Sequence, residues 1–292
     1  MQFEVNEEVK FYGVIQNVDN LLSILKAVNI TENSSCFIHE DGVVITSEKA
    51  RIVKAVAYIK SNLFHIYNIK ENIEMSAFGM SIDTLNSCFS CVMPKVASQL
   101  HYNKSLEPKL TFDNDSNYCE ITYDGTGSLF GVRRTSKDKY EHVTCNMLPF
   151  EPEEESDDLK FSDTQDTPQK IVLPAKWFKD ALDGLDASSK RIEIIMSPDD
   201  PSFEVVGGAD DTQESHIPKN FELIINFQCD RKLAYFYLYS HIMLCSKALA
   251  LASEVSIEMH LNGALRFIIR LISSDQAENF IEYYFLPSTN FT

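Results

Sequence analysis

Residues 149–168 read PFEPEEESDDLKFSDTQDTP and lie close to the middle of the 292-residue chain. They carry eight acids, Glu151, Glu153, Glu154, Glu155, Asp157, Asp158, Asp163 and Asp166, against the single base Lys160. A run this charged buries too little apolar surface to offset the entropy of ordering it, so it reads as an extended, self-repelling connector. The chain divides around it into residues 1–148, the connector 149–168 and residues 169–292, and each flank is long enough for a core of its own.

On the N-terminal side, residues 17–28 (NVDNLLSILKAV) place Leu21, Ile24, Leu25 and Val28 at i, i+3, i+4 and i+7, the single apolar stripe of a surface helix with Asn17 as its N-cap. Strand patterns follow at 35–39 and 42–47 around the Asp41-Gly42 turn, then at 51–59, at 64–69 after a Ser61-Asn62 turn, and at 73–78. A second helix spans 81–92 and stops before Pro94; short strands return at 97–102, 109–112, 118–123, 129–134 and 140–147. Beyond the connector the order recurs. A strand at 170–173 leads through Pro174 into a helix at 175–185, striped by Phe178, Ala181, Leu182 and Leu185. A hairpin at 191–196 and 202–206 follows, then strands near 212–217, 221–227 and 233–239, a helix at 240–251, and strands at 254–260, 265–272 and 280–286.

The spacing between matching features is nearly constant. Leu25 to Leu182 is 157 positions, Gly42 to Pro201 is 159, and the second helices, from Ser81 and Ser240, are also 159 apart. Such an offset across helix, hairpin and helix predicts a divergent internal duplication. Single-striped helices pack by one face, so all four are expected on one side of the sheets, with their polar sides on a common surface. Those polar sides carry Lys176, Lys179 and Lys247 in the second half; in the first, Lys26 stands among Asp19, Asn20, Ser23, Asp83 and Asn86.

Composition narrows the class. No apolar run reaches membrane-spanning length, and the charged start MQFEVNEEVKF does not read as a secretory leader. Seven scattered cysteines read as reduced core thiols, and Cys88-x-x-Cys91 lacks the second pair that a zinc site needs. A net charge of −17 argues against general nucleic-acid binding, except in a ring that keeps its bases on the inner wall. For a two-metal exonuclease the candidate acids are Asp113 with Asp115, Asp199 with Asp200, and Asp210 with Asp211; all lie in turn-like sequence, where acids serve turn chemistry. No phosphate-binding glycine loop occurs, and no cofactor or metal is expected. Thr164-Gln165, inside the connector, matches a minimal damage-kinase target.

Six segments, NLLSILKAV (20–28), GVVITSEKAR (42–51), KIVLPAKWFKDALDGLD (170–186), MSPDDPSFEV (196–205), SKALALASEVSI (246–257) and FIEYYFLP (280–287), resemble in order those of the Rad-one-type subunits of the heterotrimeric checkpoint clamp, the nine-one-one complex, within the sliding DNA clamps. The resemblance implies an α+β sliding-clamp fold of two duplicated domains, each with two helices on one face of antiparallel sheets. It implies a non-enzymatic nuclear subunit that joins two other clamp subunits around double-stranded DNA, is placed there by a clamp loader, and recruits checkpoint and repair proteins, with no membrane role. An exonuclease and a scaffold that never encircles DNA are the alternatives. By this resemblance Lys176, Lys179, Lys247 and Lys26 line the DNA. Val53, Leu159, Phe161, Tyr284, Leu286 and Pro287 form a partner-peptide pocket, in which Glu48 stands where the related proliferating-cell nuclear antigen clamp has an apolar residue. Tyr140, His142 and Thr144 would meet one neighbour, and Thr212, Ser215, His216 and Ile217 the other.

Overall fold

The computed structural model describes residues 9–16, 18–70, 75–92, 118–135, 142–154, 156, 159, 168–208, 213–217, 222, 224–272 and 278–288. In chain order the first half runs β1 (Phe11–Ile15), α1 (Val18–Val28), β2 (Asn33–His39), β3 (Gly42–Lys49), β4 (Val53–Lys60), β5 (Ile66–Ile69), β6 (Phe78–Ser81), α2 (Ile82–Val92), β7 (Cys119–Tyr123), β8 (Phe130–Thr135) and β9 (His142–Met147). The second half runs β10 (Gln169–Pro174), α3 (Ala175–Asp183), β11 (Arg191–Met196), β12 (Phe203–Gly207), β13 (Gln213–Ile217), β14 (Asn226–Gln228), β15 (Leu233–Leu238), α4 (Tyr239–Ile242), α5 (Ser246–Leu249), β16 (Ala252–Met259), β17 (Leu265–Ile272) and β18 (Glu278–Phe285).

The strands pair antiparallel into three sheets, in the orders β5-β1-β7-β8-β9, β14-β10-β16-β17-β18-β4-β3-β2-β6 and β13-β12-β11-β15. Counted within its own half, each half therefore lays down one run ordered fifth, first, seventh, eighth, ninth, and another ordered fourth, third, second, sixth. In the central sheet the ninth strand of the second half, β18, pairs with the fourth of the first, β4, from Phe280↔Tyr58 to Phe285↔Val53. The other ninth strand, β9, and the other fourth strand, β13, end the outer sheets. Two further edges are partly covered from within: Gly79 of β6 exchanges backbone bonds with Phe150 (2.7 and 3.0 Å), and the Ser288 N–H reaches the Phe236 carbonyl of β15 (2.7 Å).

The helices form one row: α2 beside α1, α1 beside α5, α5 beside α3. They pack on the sheets through a single apolar core drawn from both halves, in which Leu25, Phe178, Phe267 and Tyr283 are almost wholly buried. Tyr283 ties the halves directly, its hydroxyl donating to the Ala27 carbonyl at 2.7 Å.

Several elements differ from the sequence reading. All five residues of β1 are buried, so it shows none of the alternation that marks a strand. The strand expected at 51–59 starts at Val53, because Ala50 and Arg51 (φ 55° and 57°) form a tight turn closed by the Ile52 N–H on the Lys49 carbonyl. Among the described residues the strand expected at 73–78 begins at Phe78, and that at 221–227 is Asn226–Gln228. The helix expected at 240–251 is interrupted by a 3-10 turn at Met243–Cys245. Tyr239, Ile242, Cys245 and Ala248 are all buried at three-residue spacing, a period that a tighter helix keeps on one face and an α-helix does not. The strands expected at 97–102 and 109–112 lie outside the described residues.

The connector also departs from expectation. Its described part is docked: Phe150 pairs with β6, the Ser156 N–H donates to the Glu48 carboxylate (3.1 Å), and Leu159 is fully buried. One buried apolar anchor, Leu159, the backbone pair at Phe150 and one fixed acceptor, Glu48, hold the described part there.

Candidate functional site

The row of helices brings the four predicted lysines into one layer. Lys26 lies in the last turn of α1, Lys176 in the first turn of α3 and Lys247 on α5, all exposed. Lys179 is different: half-buried, it is paired with Asp183 one turn on, and that hydrogen bond raises its pKa. Its charge is largely spent within the helix. Lys49, which no sequence pattern singled out, ends β3 near α4; burial first and then its charge lower the pKa of His241. The opposite face of the central sheet holds Arg266 and Lys170 in ion pairs with Glu258 (2.5 and 3.1 Å) and Arg270 with Glu254 (2.9 Å), and sets Lys54 and Lys60 over the rings of Tyr284 and Phe280. The helix layer thus presents Lys26, Lys176 and Lys247 exposed to solvent, interspersed with the exposed acids Asp19, Asp83 and Asp180.

On the sheet face, Leu159, Val56 and Tyr284 form a small apolar cluster against which Val44 and Leu286 pack. Burial, then the Glu282 carboxylate, pushes the Tyr284 hydroxyl well above its ordinary pKa, so it stays a neutral donor. Val53 does not belong to this groove. It is fully buried in the main core, because successive residues of a strand point to opposite faces and Val56 occupies the groove side of β4. Leu159 is a plug more than a wall, since the connector inserts it. Pro287 is half-buried beyond β18, and Phe161 lies outside the described residues. Glu48, unexpected in an apolar groove, holds the connector backbone instead. Beside it opens a polar cleft of about 370 Å³, walled by Asn33, Glu48, Arg51 and Phe150, where the Asn33 amide donates to Glu153 (3.1 Å).

Of the predicted edge residues, His142 and Thr144 lie in β9, Thr144 exposed; Ser215, His216 and Ile217 lie in β13, where the Ser215 hydroxyl donates to the Ala181 carbonyl of α3 at 3.4 Å. Tyr140 and Thr212 fall outside the described residues. Cys145 of β9 faces α2 and hydrogen-bonds with Cys88, whose thiol burial and Cys145 together push up to about 11. Among the acids weighed for a nuclease, Asp199 sits in the β11–β12 turn, its N–H on the Ser197 hydroxyl (3.1 Å), and Asp113, Asp115, Asp210 and Asp211 lie outside the described residues. Among the described residues no group of three or more His, Cys, Asp or Glu side chains could hold a metal ion.

Comparison with known proteins adds an independent line. A family model described as repair protein Rad1/Rec1/Rad17 matches residues 10–270. The human "Cell cycle checkpoint protein RAD1" is 27% identical over 288 residues, covering 97% of this chain and 93% of the relative. The "DNA damage checkpoint control protein rad1" of Schizosaccharomyces pombe is 23% identical over 277 residues, 91% of this chain and 82% of the relative. The "DNA repair protein Rad1" of Drosophila melanogaster is 20% identical over 292 aligned residues, 97% and 96% of the two chains.

Proposed function

The chain belongs to the Rad1/Rec1/Rad17 family of repair proteins, and from that premise we propose that it is a non-enzymatic subunit of a heterotrimeric clamp that encircles duplex DNA in the nucleus and recruits checkpoint and repair factors. The observation that carries this reading is the sheet order. The chain already contains one ninth-to-fourth strand junction, β18 on β4, and presents a second ninth strand, β9, and a second fourth strand, β13, at its two ends. Two other subunits built alike would repeat the same junction at each end and close a ring. In this reading residues 1–148 and 169–292 are duplicated clamp domains, and the residues between them are the connector.

The row of helices would then line the hole, with Lys26, Lys176 and Lys247 meeting phosphates without sequence preference and Lys179 contributing little. The groove at Val56, Tyr284 and Leu286 would accept an apolar anchor from a client protein once Leu159 moves aside.

Co-expression with the two other clamp-type subunits should give a one-to-one-to-one ring retained on closed circular DNA and released when the circle is cut. Lys176→Glu with Lys247→Glu should shorten retention and flatten its salt dependence. Retention unaffected by these changes would leave a scaffold that does not encircle DNA. Magnesium-dependent degradation of DNA, lost in Asp113→Asn with Asp115→Asn, would replace the clamp with a nuclease.

A further inference from the structure

We infer that the outer flank of α3, formed by Trp177, Ala181 and Gly184, docks a helix of the neighbouring clamp subunit, with Trp177 as its anchor. The inference rests on the reading of β13 as a subunit edge. At about 100° per residue, Ala175, Phe178 and Leu182 point into the core, Lys179 and Asp183 fall on one flank, and Trp177, Ala181 and Gly184 on the other. The first flank faces α4 and α5: the Tyr239 hydroxyl donates to the Leu182 carbonyl (3.0 Å), and the Asp183 charge acts on it. The second faces the open edge, where Ser215 of β13 bonds the Ala181 carbonyl. Trp177, the one tryptophan of the chain, is 48% exposed there.

The chain supplies its own template for what covers such a flank. By sheet order α1 holds in the first half the place of α3, and β4 that of β13. At the offset of 157, Asn20, Ile24 and Ala27 are the counterparts of Trp177, Ala181 and Gly184. On α1 this flank is covered: α5 lies against it, Ile24 and Ala27 are 4% and 1% exposed, and Tyr283 of β18 bonds the Ala27 carbonyl. So α1 is packed from both sides, by α2 and by α5, whereas α3 is packed from one side among the described residues. The covering helix arrives beside the strand that pairs with β4. A subunit whose last strand pairs with β13 brings its own helix to Trp177 in the same way. The flank offers an indole, a methyl and a bare backbone and no charge, so it fits a helix side of small apolar residues; a desolvated tryptophan at the centre of such a contact is the usual form of an interface hot spot.

The chain labelled with fluorotryptophan reports on this contact alone, whatever tryptophans the partners contain. Its single fluorine resonance should move when one of the two other clamp subunits is added and stay put when the other, or duplex DNA, is added to the free chain. Trp177→Ala should weaken that one subunit's binding about 30-fold while leaving the Tm of the free chain unchanged, and Trp177→Phe should recover most of the loss. Glu214→Pro and Ser215→Pro, made separately so that one of them removes an outward N–H, test the edge itself. If proline abolishes binding while Trp177→Ala stays within about twofold, the scatter of a neutral surface change, the edge stands and the flank inference is wrong. If neither change affects binding, the reading of β13 as an edge fails first. A resonance that shifts with DNA alone, or with the concentration of the free chain, overturns the inference in favour of a nucleic-acid contact or a second copy.

Discussion

The junction of β18 with β4 and the edge strands β9 and β13 hold corresponding places in the sheet order, yet the junction is among the most buried regions of the molecule while β9 is partly exposed. At the junction, Ile281, Tyr283 and Phe285 are almost wholly buried, Tyr283 and Phe285 stack at 6.2 Å, and α5 covers α1. At β9, Val143 is 36% exposed and Leu148 just beyond it is 69% exposed. β18 brings Ile281, Tyr283 and Phe285 to the core where β9 brings Val143, Cys145 and Met147, and only β18 has a further strand with its own helix beside it in the same chain among the described residues.

The largest test of that contrast is Tyr283→Ala, which removes a buried ring and the hydroxyl that spans the halves; it should cost about 3–5 kcal/mol in urea unfolding. The matching cut at the open edge, Val143→Ala, should cost about 0.5 kcal/mol or less in the free chain and act on assembly instead. Equal losses at the two sites would break the comparison. Next in size, Glu48→Ala should cost about 1–2 kcal/mol by stranding the Ser156 N–H, and should speed protease cleavage within residues 149–168; unchanged cleavage would mean that Phe150 and Leu159 hold the connector by themselves.

A smaller effect belongs to His241, on the closed side near Lys49. Its folded pKa lies below the ordinary 6.5, chiefly through burial, so the unfolded chain binds the proton more tightly. Stability from this group is present above about pH 6.5 and falls as the pH drops through the folded pKa. With the ring half-buried, the Tm change across that window should stay under about 2 °C, and His241→Asn should remove it. The smallest effect is chemical: near pH 8, exposed Cys91 should be alkylated before Cys88, whose thiol is held protonated beside Cys145, as peptide mass spectrometry would show. Faster labelling of Cys88 would mean that β9 and α2 part readily in the free chain.

How far the sequence could be read depended on the kind of burial. The stripe Leu21, Ile24, Leu25 and Val28 was legible because one-sided packing imposes a helical period, and the strands of the β2–β3–β4 run were legible from their β-branched and aromatic residues and the Asp41-Gly42 turn. β1 was not, since burial on both faces erases alternation. In the candidate site, exposed lysines on polar helix faces could be named, but the tie between Lys179 and Asp183 depends on side-chain geometry. The groove failed by parity: Val53 and Val56 belong to one strand, and only the pairing register says which faces the connector.

The sequence by itself determined the repeated order of helix and strand, the helices' apolar stripes, the acidic connector and the resemblance to clamp subunits, because these rest on local periodicity and composition. Only the tertiary structure decided that the described part of the connector is docked, that Val53 belongs to the core, and that one junction is closed while its counterparts end their sheets among the described residues. Each of those depends on contacts between residues far apart in the chain, such as Tyr283 with Ala27 or Glu48 with Ser156, whose energies belong to no single stretch of sequence.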